Sequence, residues 1–122
     1  MQVINNQLHF GNFSAEDLCQ KYGTPLYVYE EDIIRKQYRE LAQSFTTSKF
    51  KVHYAVKSNY NPAILKILLE EGCGVDTVSD FEVRLCLELG FPNEAIIFTG
   101  DNSKDEEMAY CLENDVLINV GS

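Results

Sequence analysis

Basic residues are scarce in this chain: ten Lys and Arg stand against nineteen Asp and Glu, a net charge of −9 over 122 residues. An acidic surface of that size repels phosphate backbones and argues against a nucleic-acid partner. Histidine is scarcer still. His9 and His53 are the only two, and neither lies at zinc-ligand spacing from a cysteine. The four cysteines, Cys19, Cys73, Cys86 and Cys111, contain no C-x-x-C pair and read as buried, reduced thiols of a cytoplasmic protein. No metal site is expected. No apolar run approaches the length of a membrane span. Met1 to Phe10 lacks the basic and apolar blocks of a signal peptide. No Gly-x-Gly-x-x-Gly follows a strand pattern, because Gly72-Cys73-Gly74 precedes one. That weakens a dinucleotide-binding reading.

What the chain does have is alternation. Thr24 to Tyr29 is rich in β-branched and aromatic residues and predicts a strand. Glu30 to Phe45 carries Ile34, Tyr38, Leu41 and Phe45 at helical spacing. Lys51 to Val56 predicts a strand. Asn61-Pro62 then predicts a helix start, with Asn as N-cap and Pro at the first helical position, and Gly72 its end. Gly74 to Val78 is the next strand, and the capping box Ser79-Asp80-Phe81-Glu82 opens a helix that Gly90 closes. Ala95 to Thr99, a second capping box at Ser103 to Glu106, a helix with Met108, Cys111 and Leu112, and a strand from Val116 to Val120 complete the series. From Lys51 onward the order is β-α-β-α-β-α-β, repeating about every 21 residues. Such units build parallel sheets, either open or closed into a barrel.

Within that frame Lys57 stands out. It follows an apolar strand and precedes a helix start, where a barrel strand delivers side chains to the active-site mouth. A lysine withdrawn from water loses its proton more easily, and a neutral amine can form a Schiff base with an aldehyde cofactor. Side chains alternate along a strand, so His53 and Ala55 share the inward face with Lys57, while Val52, Tyr54 and Val56 face the helices. A small Ala55 leaves room for a flat ring. Asp76 lies mid-strand between Val75 and Thr77, where a carboxylate is costly unless paired or functional. Glu82 is explained by its capping box. His53 reads as a packed or hydrogen-bonded core residue, and Asp105-Glu106-Glu107 as a solvated helix first turn.

The motifs resemble the alanine-racemase-like (fold type III) decarboxylases that use pyridoxal 5′-phosphate (PLP), most closely the diaminopimelate decarboxylase branch. Tyr22 to Tyr29 is similar to that branch's opening. Tyr54-Ala55-Val56-Lys57-Ser58-Asn59 resembles the cofactor-lysine motif. Gly74 to Ser79 with Glu82, Gly90-Phe91-Pro92, Ile97 to Gly100 and Ile118-Asn119-Val120 continue the match in order. Gly121 departs from it, since the branch usually has an acidic residue before Ser122. The resemblance implies the first half of a PLP-binding (β/α)8 barrel, with residues 1–122 as the N-terminal part of that domain; eight such units take about 250 residues.

By the resemblance, Lys57 is the Schiff-base lysine and Ala55 lies near the cofactor ring. Asp76 and Glu82 match two acidic positions close to that lysine in ornithine decarboxylases. The ring-stacking histidine, the glycine-rich phosphate loop, the glutamate on the pyridine nitrogen and a C-terminal β-domain are expected beyond Ser122. The implied reaction is decarboxylation of meso-diaminopimelate to L-lysine, in a cytoplasmic enzyme of lysine biosynthesis that works as a homodimer, away from membranes. The 122 residues alone are expected to be inactive. Two other readings stand beside it: an ornithine- or arginine-type decarboxylase, and a non-catalytic PLP-binding barrel or inert fragment.

Overall fold

A computed structural model describes residues 1–47 and 50–120; Gly121 and Ser122, where the family departure falls, lie outside the described residues. The first 22 residues form a unit that the patterning above does not anticipate. Strands β1 (Gln2–Ile4), β2 (Gln7–Phe10) and β3 (Phe13–Ser14) pair antiparallel in that order. Asn5 and Asn6 join β1 to β2 with φ of 49° and 64°, the backbone sign that a two-residue type I′ hairpin demands and that asparagine tolerates. Helix α1 (Ala15–Tyr22) follows at once. Ser14 caps it by accepting the Asp17 N–H at 3.0 Å.

The strand expected over Thr24–Tyr29 does not form. The segment runs unpaired to helix α2 (Glu31–Gln43), and Tyr27 is 85% exposed. Strand-favouring residues make a strand only against a partner edge. Helix α2 lies within its expected bounds. Ile34 and Tyr38 pack on Ile64, Leu68 and Cys73 with Val52. Leu41 and Phe45 remain exposed; Phe45 lies past the helix end and stacks on Phe50 at 3.7 Å between ring centroids.

The expected βα alternation then appears in full. Strands β4 (His53–Ala55), β5 (Gly74–Thr77), β6 (Ile96–Phe98) and β7 (Leu117–Ile118) form one parallel sheet in sequence order. Helices α3 (Pro62–Glu70), α4 (Asp80–Leu89) and α5 (Asp105–Glu113) are the crossovers. The strands are shorter than the apolar runs because ladder pairing extends only where neighbours overlap. Each cap has a local cause. Asn61 Oδ1 accepts the Ala63 N–H at 2.9 Å, and Gly90 ends α4 at φ 95°.

The two capping boxes differ from expectation. Ser79 Oγ accepts the Glu82 N–H, but Glu82 Oε2 accepts from Val78 N–H, one residue further back than the reciprocal box requires. The second box slips by one residue. Lys104 is the N-cap, Glu107 accepts its N–H at 2.9 Å, and Ser103 donates to Gly100 O instead. Leu112 is 68% exposed, while Cys111 and Tyr110 meet the core.

The sheet has two unlike faces. Val75, Thr77, Ile96, Phe98 and Val116 are buried against the helices with Val56, Leu65, Val83, Cys86 and Cys111. Each large apolar side chain fully withdrawn from water there contributes roughly 1.5–3 kcal/mol. Burial pushes the Cys73 thiol up to about 11 and the Cys86 thiol up to about 12, so neither is a ready nucleophile. Cys19 is exposed, and all four thiols are free. The opposite face carries Ala55, Asp76, Ile97 and Thr99, each only half-buried, and no described element covers it.

An ion cluster clamps α2 to the end of α3. Glu71 accepts from Arg39 Nε and Nη2, both at 2.6 Å, and from Arg35 Nη1 at 2.9 Å. The two guanidiniums hold its carboxyl down to about 2, from an ordinary 4.5. A depressed carboxylate stabilises the fold above its unfolded value and loses that contribution as pH falls toward the folded one. In the full-length protein, Glu71→Gln is therefore expected to melt below the wild type at pH 6. The gap should narrow as pH drops below 4.5, which thermal scans across pH would read; a gap independent of pH would overturn this assignment.

Candidate functional site

The C-terminal ends of the four parallel strands lie on one side of the molecule, together with the N-termini of α3, α4 and α5. Lys57 is there, but not on a strand. After Ala55 the backbone turns into one 3-10 turn, Val56–Ser58, closed by the Asn59 N–H on Val56 O at 3.1 Å. Strand alternation ends at Ala55, so the turn, not the strand, sets the direction of Lys57. Parity along the strand therefore reaches Ala55, two residues short of Lys57.

The turn is braced from both sides. Val56 is fully buried and anchors it, which leaves Lys57 and Ser58 exposed. Tyr54 OH donates to Asn59 O at 3.3 Å. Asn59 Nδ2 donates to Tyr29 OH at 2.9 Å, and Asn59 Oδ1 accepts the Asn61 N–H at 3.0 Å. Tyr29 thus touches the site from the segment that was expected to be a strand, a role invisible in its local sequence.

Below the turn lies the open face of the sheet. The register pairs Ala55 with Asp76 and Asp76 with Ile97, so these three form one row. His53, Asp76, Ile97, Thr99, Leu117 and Asn119 line a shallow cleft along it, of about 530 Å3. Asp76 is paired: Thr99 Oγ1 donates to its Oδ1 at 2.6 Å. This answers the cost of a carboxylate in an apolar strand. The sequence offered no sign of the pair, because the two residues are 23 positions apart and meet only through strand register.

His53 stands one row below, opposite Gly74. Its Nε2 is buried without a partner among the described residues. Burial, then the Lys51 charge, lowers its pKa, against the pull of the Lys51 backbone and of Asp76. The ring occupies the space where a side chain at position 74 would be. Glu82 is buried at the start of α4, its Oε2 committed to Val78 N–H. The structure thus gathers Lys57, Ala55 and Asp76 around one end of the sheet and shows Glu82 in its capping role. Among the described residues no cluster of His, Cys, Asp and Glu could hold a metal ion, and no helix is long and apolar enough to cross a membrane.

Residues 31–122 match the family model described as the pyridoxal binding domain of pyridoxal-dependent decarboxylases. The chain belongs to that family. Among its relatives is a diaminopimelate decarboxylase of Methanothermobacter thermautotrophicus, 43% identical over 98% of this chain and 29% of the relative. The diaminopimelate decarboxylase of Bacillus subtilis is 37% identical over 94% of this chain and 27% of its own length. The solved structure of the M. jannaschii diaminopimelate decarboxylase in complex with L-lysine superposes with a TM-score of 0.92 at 32% identity, covering 98% of this chain and 29% of that one. A Vibrio vulnificus lysine/ornithine decarboxylase with putrescine gives 0.76 at 28%, covering 86% and 30%. The chain therefore spans under a third of the length of the decarboxylases it matches. Its four strands and three crossover helices have the fold of the first half of a decarboxylase (β/α)8 barrel.

In this decarboxylase fold Gly74 gives a direct test of the lower cleft. A Cβ there would fall 2.5 Å from His53 Cδ2 and 2.9 Å from Ala95 O. Gly74→Ala in the full-length protein is expected to lower stability by about 1–3 kcal/mol, read as a lower urea midpoint. Adding His53→Ala should recover part of the loss, and no loss at all in the single variant would remove the close contact from the account.

Proposed function

We propose that this chain is the N-terminal part of the PLP-binding barrel of a cytoplasmic amino-acid decarboxylase, with Lys57 as its cofactor lysine. The observation that carries the reading is positional. Lys57 sits in a braced turn at the C-terminal end of the first parallel strand, above a row formed by Ala55 and Asp76. Barrel enzymes place reacting groups at that end.

The residues present fit PLP. An aldehyde needs an amine, and the exposed Lys57 supplies one. A flat ring needs space beside that amine, and Ala55 ends the strand with a single methyl on the half-buried face of the sheet. When bound, the cofactor offers its ring as a sink for the electron pair left as carbon dioxide departs. Lys57 Nζ would hold the cofactor and could carry a proton at the reacting centre. Asp76 would face the cofactor from the row it shares with Ala55, whose single methyl leaves that face of the sheet clear, and Glu82 would act from the start of α4.

For substrate we favour meso-diaminopimelate, giving L-lysine and carbon dioxide. Relatives named diaminopimelate decarboxylase match nearly the whole chain at 43% and 37% identity, and the M. jannaschii decarboxylase was solved with L-lysine. An ornithine-type substrate draws support from a Vibrio vulnificus lysine/ornithine decarboxylase at 28% identity, over less of this chain. We also propose that the full-length enzyme is a homodimer of lysine biosynthesis and that residues 1–122 alone lack activity, because no described element covers the open sheet face and fold without the whole site does not confer function.

The test uses the full-length enzyme loaded with PLP, reduced with borohydride, digested and mapped by mass spectrometry. The adduct is expected on Lys57. Lys57→Ala should lose it and lower kcat about 1,000-fold or more. Label on another lysine, or equal label in Lys57→Ala, would sink the assignment.

A further inference from the structure

Asp76 has two places to direct its carboxylate. Thr99 lies two residues beyond Ile97, the register partner of Asp76. Two residues of strand advance about 6.6 Å, so Thr99 belongs to the row above, toward the strand ends and the Lys57 turn. His53 belongs to the row below, two residues before Ala55. The geometry is one-sided. Thr99 Oγ1 donates to Asp76 Oδ1 at 2.6 Å, while His53 Nε2, buried in the same cleft, has no partner among the described residues. Thr99 is itself held in place, because its N–H donates to Thr77 O at 2.8 Å and extends the ladder past the end of β6.

We propose that Thr99 is a positioning residue that turns the Asp76 carboxylate toward the Lys57 end of the cleft and away from His53. The physical reason is a choice of donor. Thr99 Oγ1 already donates to Asp76, and His53 Nε2, buried in the same cleft, makes no hydrogen bond among the described residues. The Thr99 hydroxyl is then the donor within reach. Remove it, and a carboxylate in a half-buried row seeks another; protonated His53 can supply one. The ionisable groups acting on His53 are Asp76 from β5 and Lys51 from the chain just before β4. To the same cleft β6 presents Ile97 and β7 presents Leu117, neither ionisable.

The consequence for catalysis rests on the proposed role of Lys57; the orientation of Asp76 does not. Thr99→Val, which keeps shape and removes the hydroxyl, and Thr99→Ser, which keeps the hydroxyl, are compared in the full-length protein. Deuterium exchange at the His53 imidazole C2, followed by mass spectrometry across pH, reads the protonation of His53. Thr99→Val is expected to favour protonated His53 about tenfold, with Thr99→Ser near the wild type. In Thr99→Val kcat should fall about tenfold with KM changed less than about twofold, and Thr99→Ser should restore it. Where Thr99→Val fails to fold, Thr99→Ala removes the same hydroxyl. An unchanged His53 midpoint in the hydroxyl-free variant, or an equal shift in Thr99→Ser, overturns the proposal. A His53 shift as expected with borohydride label away from Lys57 leaves the orientation standing and removes the catalytic reading instead.

Discussion

The parallel register that aligns Ala55, Asp76 and Ile97 is the constraint on which the rest of this structure depends. A strand's side chains alternate with period two, so a slip of one residue would carry every inner side chain to the helix face. Asp76 would then enter the layer of Val75, Thr77 and Ile96, all fully buried. The apolar residues on the helix face make that slip costly, since each would be turned toward the open side. The core beneath α3, α4 and α5 thereby fixes where the polar residues of the other face must stand. Packing and site geometry are two consequences of one pairing.

The lysine turn shows the same economy. Val56 is buried by the core, and its burial leaves its neighbour Lys57 outside. Asn59 and Asn61 make the turn run directly into α3, with Asn59 reaching back to Tyr29. An element before the barrel and an element within it thus meet at the residue pair that flanks the lysine. The Arg35, Arg39 and Glu71 cluster fastens α2 over α3 at the other end of that helix. Between them these contacts hold α3, and with it the turn, from both ends.

Much of the barrel part was legible in the chain because its signals are local. Apolar periodicity, Asn61-Pro62 and the glycines at 72 and 90 mark elements by chemistry within a few residues. The same reading failed where the deciding partner was distant. Thr24 to Tyr29 has strand composition but no strand beside it. Leu112 has helical spacing from Met108 but faces outward, and the second cap moved from Ser103 to Lys104 when Ser103 found Gly100 O. The hairpin at Asn5-Asn6 carried a usable local signal in its dipeptide between alternating runs. Of the site, Lys57, Ala55 and Asp76 were visible as residues out of keeping with their surroundings, and the family motif joined them.

By itself, the sequence determined the order of strands and helices from Lys51 onward, the two-faced character of those strands, and the family to which the lysine motif belongs. These follow from residue types and short spacings. Only the tertiary structure decided that Lys57 stands in a turn and not on the strand, that Glu82 is spent on Val78 N–H, that Asp76 bonds Thr99, and that His53 lies over Gly74. Each depends on which residues of separate strands or turns come within about 3 Å of one another. That is settled by the packing of helices on the sheet, and one strand's pattern contains no record of its neighbour's.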